Sequence, residues 1–159
     1  MTAGPAPAPL PPEVLERLRT IGLRIDGAGG LWHQGSPIVH LGLRQAILRW
    51  LDVRDDGRVI VRLDDVRYAY VDVDDTPLRV TAIRWVDGAP VAHTDDGQVE
   101  PLDLATVTVD PDRRARCRVR GGRLEARLTS PAHQVLFARL EADGDALGLR
   151  VGDRFWPLG

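Results

Sequence analysis

Between Arg58 and Leu128 apolar and polar residues tend to alternate, and the runs are cut by Asp64-Asp65, Asp74 to Pro77, Asp87-Gly88, Asp95 to Gly97, Asp110 to Arg113 and Gly121-Gly122. A period of two with turn residues at short intervals is the pattern of half-buried antiparallel strands, so a chain like this must build most of its fold from sheet. The runs predict strands at 58–63, 66–73, 78–86, 90–93, 102–109, 114–120 and 123–128, with a last one at 146–151. Asp87-Gly88 is a two-residue hairpin signal. Pro90 has no N–H for a ladder, which predicts a sheet edge for its strand.

Three stretches change the period from two to about 3.6. The short one follows Pro12 and runs from Glu13 to Arg19. The longest reads LWHQGSPIVHLGLRQAILRWL, Leu31 to Leu51: a strand, a Gly-Ser-Pro corner and an amphipathic helix with Ile38, Leu41, Leu43, Ile47, Leu48 and Leu51 on its stripe. Ser36 suits an N-cap and Pro37 a first helical residue. The third, GRLEARLTSPAHQVLFARL, repeats the plan with Ser130-Pro131 and a stripe of Val135, Leu136, Phe137 and Leu140. Strand, corner, helix and acidic turn recur in one order, which points to an internal duplication in which Ser36 and Ser130 cap equivalent helices. The expected fold is α+β: a duplicated strand-helix-strands core with two small, mostly antiparallel sheets, each packed with one helix. Residues 1–11 form an extended Ala/Pro tail that the fold does not need, 12–78 the first half and 79–159 the second.

With 159 residues and 43% apolar content the chain can bury a core. Its 23 acids and 21 bases leave a net charge of -2, which predicts no bulk attraction to nucleic acid or an anionic membrane. Every base other than histidine is Arg, and neither Lys nor Asn occurs; avoidance of codons beginning AA explains that before any function does. The lone Cys117 excludes an internal disulfide and fits a reducing compartment. The N-terminus lacks a basic stretch followed by an apolar one, and there is no apolar run of membrane-spanning length, so a cytoplasmic protein is expected.

WHQGSPI (Trp32–Ile38), VDVDDTP (Val71–Pro77), VRGGRLEARL (Val119–Leu128) and the terminal FWPLG resemble, in order and spacing, a diverged member of the bacterial domain-of-unknown-function family 1285. The resemblance implies a duplicated α+β core, a C-terminal half loosely similar to pleckstrin-homology folds, and a small-ligand site, nucleotide-like in its ligand, where the halves meet. It brings no catalytic activity with it.

The residues themselves offer little chemistry. His33 and His40 are wrongly placed to share a metal, and no zinc spacing occurs. Asp52 to Gly57 starts like a calcium loop, but Arg54 and Leu63 occupy ligand positions, so it reads as a turn. Cys117 should point inward with Ala115 and Val119 as a small core residue. The four tryptophans are expected to fill cores, at least two of them. Arg114, Arg116, Arg118 and Arg120 share one face of their strand at period two, a surface able to hold phosphates or carboxylates or simply to face water. The expected ligand set is Trp32, His33, Ser36, Arg116, Arg118, Arg120 and Arg127. The expected function is a non-enzymatic, small-ligand-binding or regulatory protein, with a role in signal transduction and an anionic or nucleotide-like ligand between the halves. It uses no cofactor or metal and does not act on nucleic acid or membrane. The alternative is a protein-interaction module using a sheet edge or the C-terminal half.

Overall fold

The computed structural model describes residues 11–158, so the expected N-terminal tail lies outside the described residues apart from Pro11. Helix α1 (Pro12–Arg19) starts with proline in its first turn, where the missing N–H has no partner to lose. A first sheet follows from β1 (Leu23–Ile25), β2 (Leu31–His33) and β3 (Ser36–Pro37), then helix α2 (Leu41–Arg49), then β4 (Leu51–Val53), β5 (Val59–Arg62) and β6 (Tyr68–Val73). The second sheet uses β7 (Leu78–Val86), β8 (Ala89–Thr94) and β9 (Val99–Pro101), a 3-10 turn at Leu104–Thr106, then β10 (Thr108–Val109), β11 (Ala115–Val119) and β12 (Leu124–Leu128). Helix α3 (Ser130–Phe137) and a three-stranded sheet, β13 (Glu141–Asp143), β14 (Ala146–Val151) and β15 (Arg154–Pro157), complete the chain.

The two six-stranded sheets have the same wiring. Their orders are β3-β2-β1-β6-β5-β4 and β10-β11-β12-β7-β8-β9. Each is a three-stranded antiparallel meander, a helical crossing and a second meander, closed by a parallel pair between the first strand and the last. Leu23 pairs with Val71 and Leu78 with Ala126, so both pairs join residues 48 apart. The first unit spans Leu23 to Val73 and the second Leu78 to Leu128, a shift of 55 residues at both ends.

The halves are therefore duplicated, as expected, but the two Ser-Pro corners are not equivalent. Ser36 and Pro37 are extended and pair with His33 and Trp32 around a tight Gln34-Gly35 turn in which both residues have positive φ, 51° and 79°. Pro37 sits on an edge strand, where its missing donor costs nothing. The cap of α2 is His40, whose Nδ1 accepts from the Leu43 amide at 3.1 Å. At the other corner Thr129 is the N-cap and Ser130 already helical. By topology α2 corresponds to the 3-10 turn, and α3 lies outside the repeat.

Helix stripes also shift. In α3 the residues that go fully inside are Ala132 and Leu136, while Val135 and Leu140 stay partly exposed; in α2 it is Leu48, with Leu41 and Leu43 exposed. Pro90 lies in an inner strand rather than at an edge. It sits one residue beyond the β8–β9 ladder, which opens at Val91; its carbonyl accepts from the Leu102 amide, and the one bond its absent N–H would return falls at the ladder's end. Asp87-Gly88 does form the two-residue turn, with φ of 51° and 80°. The core runs continuously through both sheets, from Ile25 and Leu31 through Leu78 and Val80 to Leu136 and Leu149. Trp85 and Trp156 pack against it. No helix among the described residues is long and apolar enough to cross a membrane.

Candidate functional site

Alternation along β11 buries Ala115, Cys117 and Val119 and turns Arg116 and Arg118 outward. Burial pushes the Cys117 thiol up to about 12, so it has no thiolate character. The arginine stripe nevertheless divides into different jobs. Arg116 is locked to Asp75 at 2.6 Å and Glu125 at 3.2 Å. The Arg118 side chain is exposed and among the described residues reaches only the Gly122 carbonyl, at 3.4 Å. Arg120 leaves the face altogether. It follows the strand, in a turn with φ 54°, and its guanidinium crosses the seam to the end of α2, where it donates to the carbonyls of Leu48, Arg49 and Leu51 and pairs with Asp96. Asp96 is fully buried; burial opposes its charge, yet the Thr94 hydroxyl and Arg120 hold its carboxyl below the usual range. Arg120 is thus a structural clamp between the halves.

The first-half candidates do not converge on the arginines. His33 faces an apolar groove, Ser36 is exposed, and Trp32 points its Nε1 at Asp26 at 2.7 Å. That bond, followed by the Gly30 amide, keeps Asp26 below its ordinary pKa and stiffens the turn from Asp26 to Gly30.

This turn lies over the second sheet, and beside it opens the site. The carbonyl of Gly27 accepts from Arg79 on β7 and from Arg127 on β12, the latter at 3.0 Å. Gly29, with φ 84°, passes so close to Arg79 that a Cβ there would collide with its side chain. The roof leaves Arg79 only 8% exposed, with its buried Nε lacking a partner among the described residues. Burial, then the neighbouring Arg127, lowers the Arg79 pKa. Arg127 is offset by Asp75 at 2.7 Å, but that carboxylate also serves Arg116.

Arg79 and Arg127 line a cavity of about 480 Å³ with Arg113 and Arg114 from the β10–β11 turn and Thr129, Ser130 and His133 from the start of α3. That volume lies within the range of small-molecule sites. No carboxylate of the described residues lines it. Among the described residues the side chains of Arg113 and Arg114 make no ion pair, and no side chain caps α3. An electropositive, partly roofed cavity at a helix N-terminus is suited to an anion. Of the expected ligand set only Arg127 lines it. Arg114 belongs to the arginine stripe legible in the sequence, though not to the expected ligand set; Arg79, Arg113 and His133 belong to neither, although the repeated Leu-Arg-Ile at 23–25 and Leu-Arg-Val at 78–80 is a visible sign that Arg79 mirrors Arg24.

A second concavity of about 580 Å³ lies within the first half, among α1, α2 and the β5–β6 hairpin. Leu18, Leu43, Trp50, Leu63 and Val66 are each more than two-fifths exposed there.

No protein-family model and no curated protein matches the chain. Two solved structures share its fold. A DUF1285 family protein from Silicibacter pomeroyi DSS-3 aligns with a TM-score of 0.72 and 22% identity over 87% of this chain and 80% of its own. A DUF1285 family protein from Shewanella baltica OS155 aligns with a TM-score of 0.59 and 16% identity over 70% of this chain and 87% of its own. The DUF1285 fold expected from the sequence motifs is therefore the fold of this chain.

Proposed function

We propose that this is a non-enzymatic, small-ligand-binding protein with a regulatory role, and that its ligand is an anion held at Arg79 and Arg127 beneath the β1–β2 turn. The observation that carries the reading is the cavity lining, in which Arg79, Arg113, Arg114 and Arg127 converge beside the start of α3 with no carboxylate of the described residues among them, so that an anion there would offset their mutual repulsion. A binding role fits the lining better than catalysis. The lining supplies positive charge and hydroxyls, and no hydrogen bond joins Ser130 Oγ to the His133 ring among the described residues. A thermal-shift series with inorganic phosphate, citrate and adenosine monophosphate tests it. A ligand bound only by the folded state stabilises by about 2.7 kcal/mol at a hundred times its Kd. At least one anion should raise the midpoint of the native protein and leave that of Arg79→Met unmoved; no response to any anion rejects the reading.

The alternative, a protein-interaction module, draws its support from the apolar groove of the first half, since clustered large apolar side chains at a surface mark contact sites. Substituting Leu43 with Glu should then abolish association with a partner without altering the anion response.

A further inference from the structure

We infer that the anionic group of this ligand is a phosphoryl dianion carried on a small organic molecule, not a carboxylate; the inference rests on the anion-binding reading above. Its first support is the duplication. Shifted by 55 residues, Arg24 and Asp72 of the first sheet become Arg79 and Arg127 of the second, and in each sheet the two residues face each other across the parallel pair. The first half sets opposite charges there. The second sets two cations side by side and turns both toward one carbonyl, Gly27. Like charges directly opposed are unfavourable, the more so under a roof that excludes water.

The second support is the charge left over. Asp75 offsets one guanidinium while it also pairs with Arg116, so Arg79, Arg113 and Arg114 face the cavity without a carboxylate of their own. A carboxylate brings a single charge and two oxygens in a plane. A phosphate monoester brings about -1.5 to -2 and three acceptor oxygens in a tetrahedral arrangement. It can therefore engage guanidiniums on two sides together with the Ser130 amide of the uncapped first turn of α3, which has no partner among the described residues, while Pro131 contributes no donor. The third support is room, for a cavity of about 480 Å³ also takes an organic body beyond the phosphoryl group.

Isothermal titration of the full-length protein with phenyl phosphate and benzoate holds the organic body nearly constant and changes the anion. Phenyl phosphate should bind at least about tenfold more tightly, the effect of one additional charged hydrogen bond. In Arg113→Gln/Arg114→Gln, whose altered side chains have no structural partner, its affinity should fall about tenfold or more while benzoate loses less. Equal binding of the two anions, lost in Arg79→Met, would overturn the phosphoryl assignment and leave the anion site standing. Binding of neither, with no capture by the vesicles below, rejects both. Vesicles containing phosphatidic acid provide the last arm: capture by vesicles with no binding of free phenyl phosphate would replace the small molecule by a lipid headgroup and overturn the inference.

Discussion

The parallel strand pair at the centre of each sheet meets at one register, yet the first half leaves its facing pair, Arg24 and Asp72, open to solvent, while the second covers Arg79 and half-buries Arg127. The β1–β2 turn makes the difference, because it reaches across the seam and rests on Arg79. Water screens the first pair and its neighbour Asp74, which Arg24 contacts at 2.6 Å. In the second, Asp75 offsets Arg127 at 2.7 Å, while the Gly27–Gly29 turn shuts water off from Arg79. A duplicated backbone thus yields one solvated surface and one charged cavity, and the same residue type has opposite energetic meaning at equivalent positions.

The clamp across the seam should give the largest effect when the comparison is broken. Arg120→Ala leaves the fully buried Asp96 unpaired and should cost about 3 to 5 kcal/mol in urea denaturation at neutral pH. Asp96 titrates below its unfolded value, so its contribution is complete above about pH 4 and is lost as pH falls through the lower folded value. Acidification should accordingly destabilise the native protein more than it does Arg120→Ala. A variant as stable as the native protein would show that the halves hold together without the clamp.

Next come the apolar residues that begin the two parallel pairs. Leu78→Ala and Leu23→Ala should each lose about 2 to 5 kcal/mol, with Leu78, 0% exposed, losing more than Leu23, 7% exposed. The reverse order would mean that the second sheet relaxes around the cavity more readily than the first.

Smaller effects on the free protein separate the charged pairs. Arg79→Met removes a buried cation that faces another and puts an apolar chain of similar length beneath Gly29, so its melting temperature should be unchanged or higher. A clear drop would identify Arg79 as structural. Arg24→Ala should leave the urea midpoint essentially where it is, since both partners of that ion pair are well exposed and water screens them.

Which of these features could be read from the chain depended on their range. The inward set of β11, the Asp87-Gly88 hairpin and the start of α1 follow from alternation, positive-φ preferences and the geometry of proline. Ser36 misled because the same Gly-Ser-Pro corner suits an edge hairpin, and His40 is an equally close cap. The repeat was legible as a recurrence but in the wrong frame: the Ser-Pro motifs are conspicuous, while the true equivalence rests on strands whose residues share little beyond Leu-Arg.

By itself the sequence determined the class of fold, the strand-rich halves and the faces to which the residues of β11 turn, because sterics and the period of burial act between near neighbours. The tertiary structure alone decided which arginines matter. Arg79 and Arg127 reach Gly27 across 52 and 100 residues, and Arg120 reaches Leu48 across 72. Whether a guanidinium is solvated, neutralised or left short of a partner depends on what the rest of the chain lays over it, and no local pattern carries that.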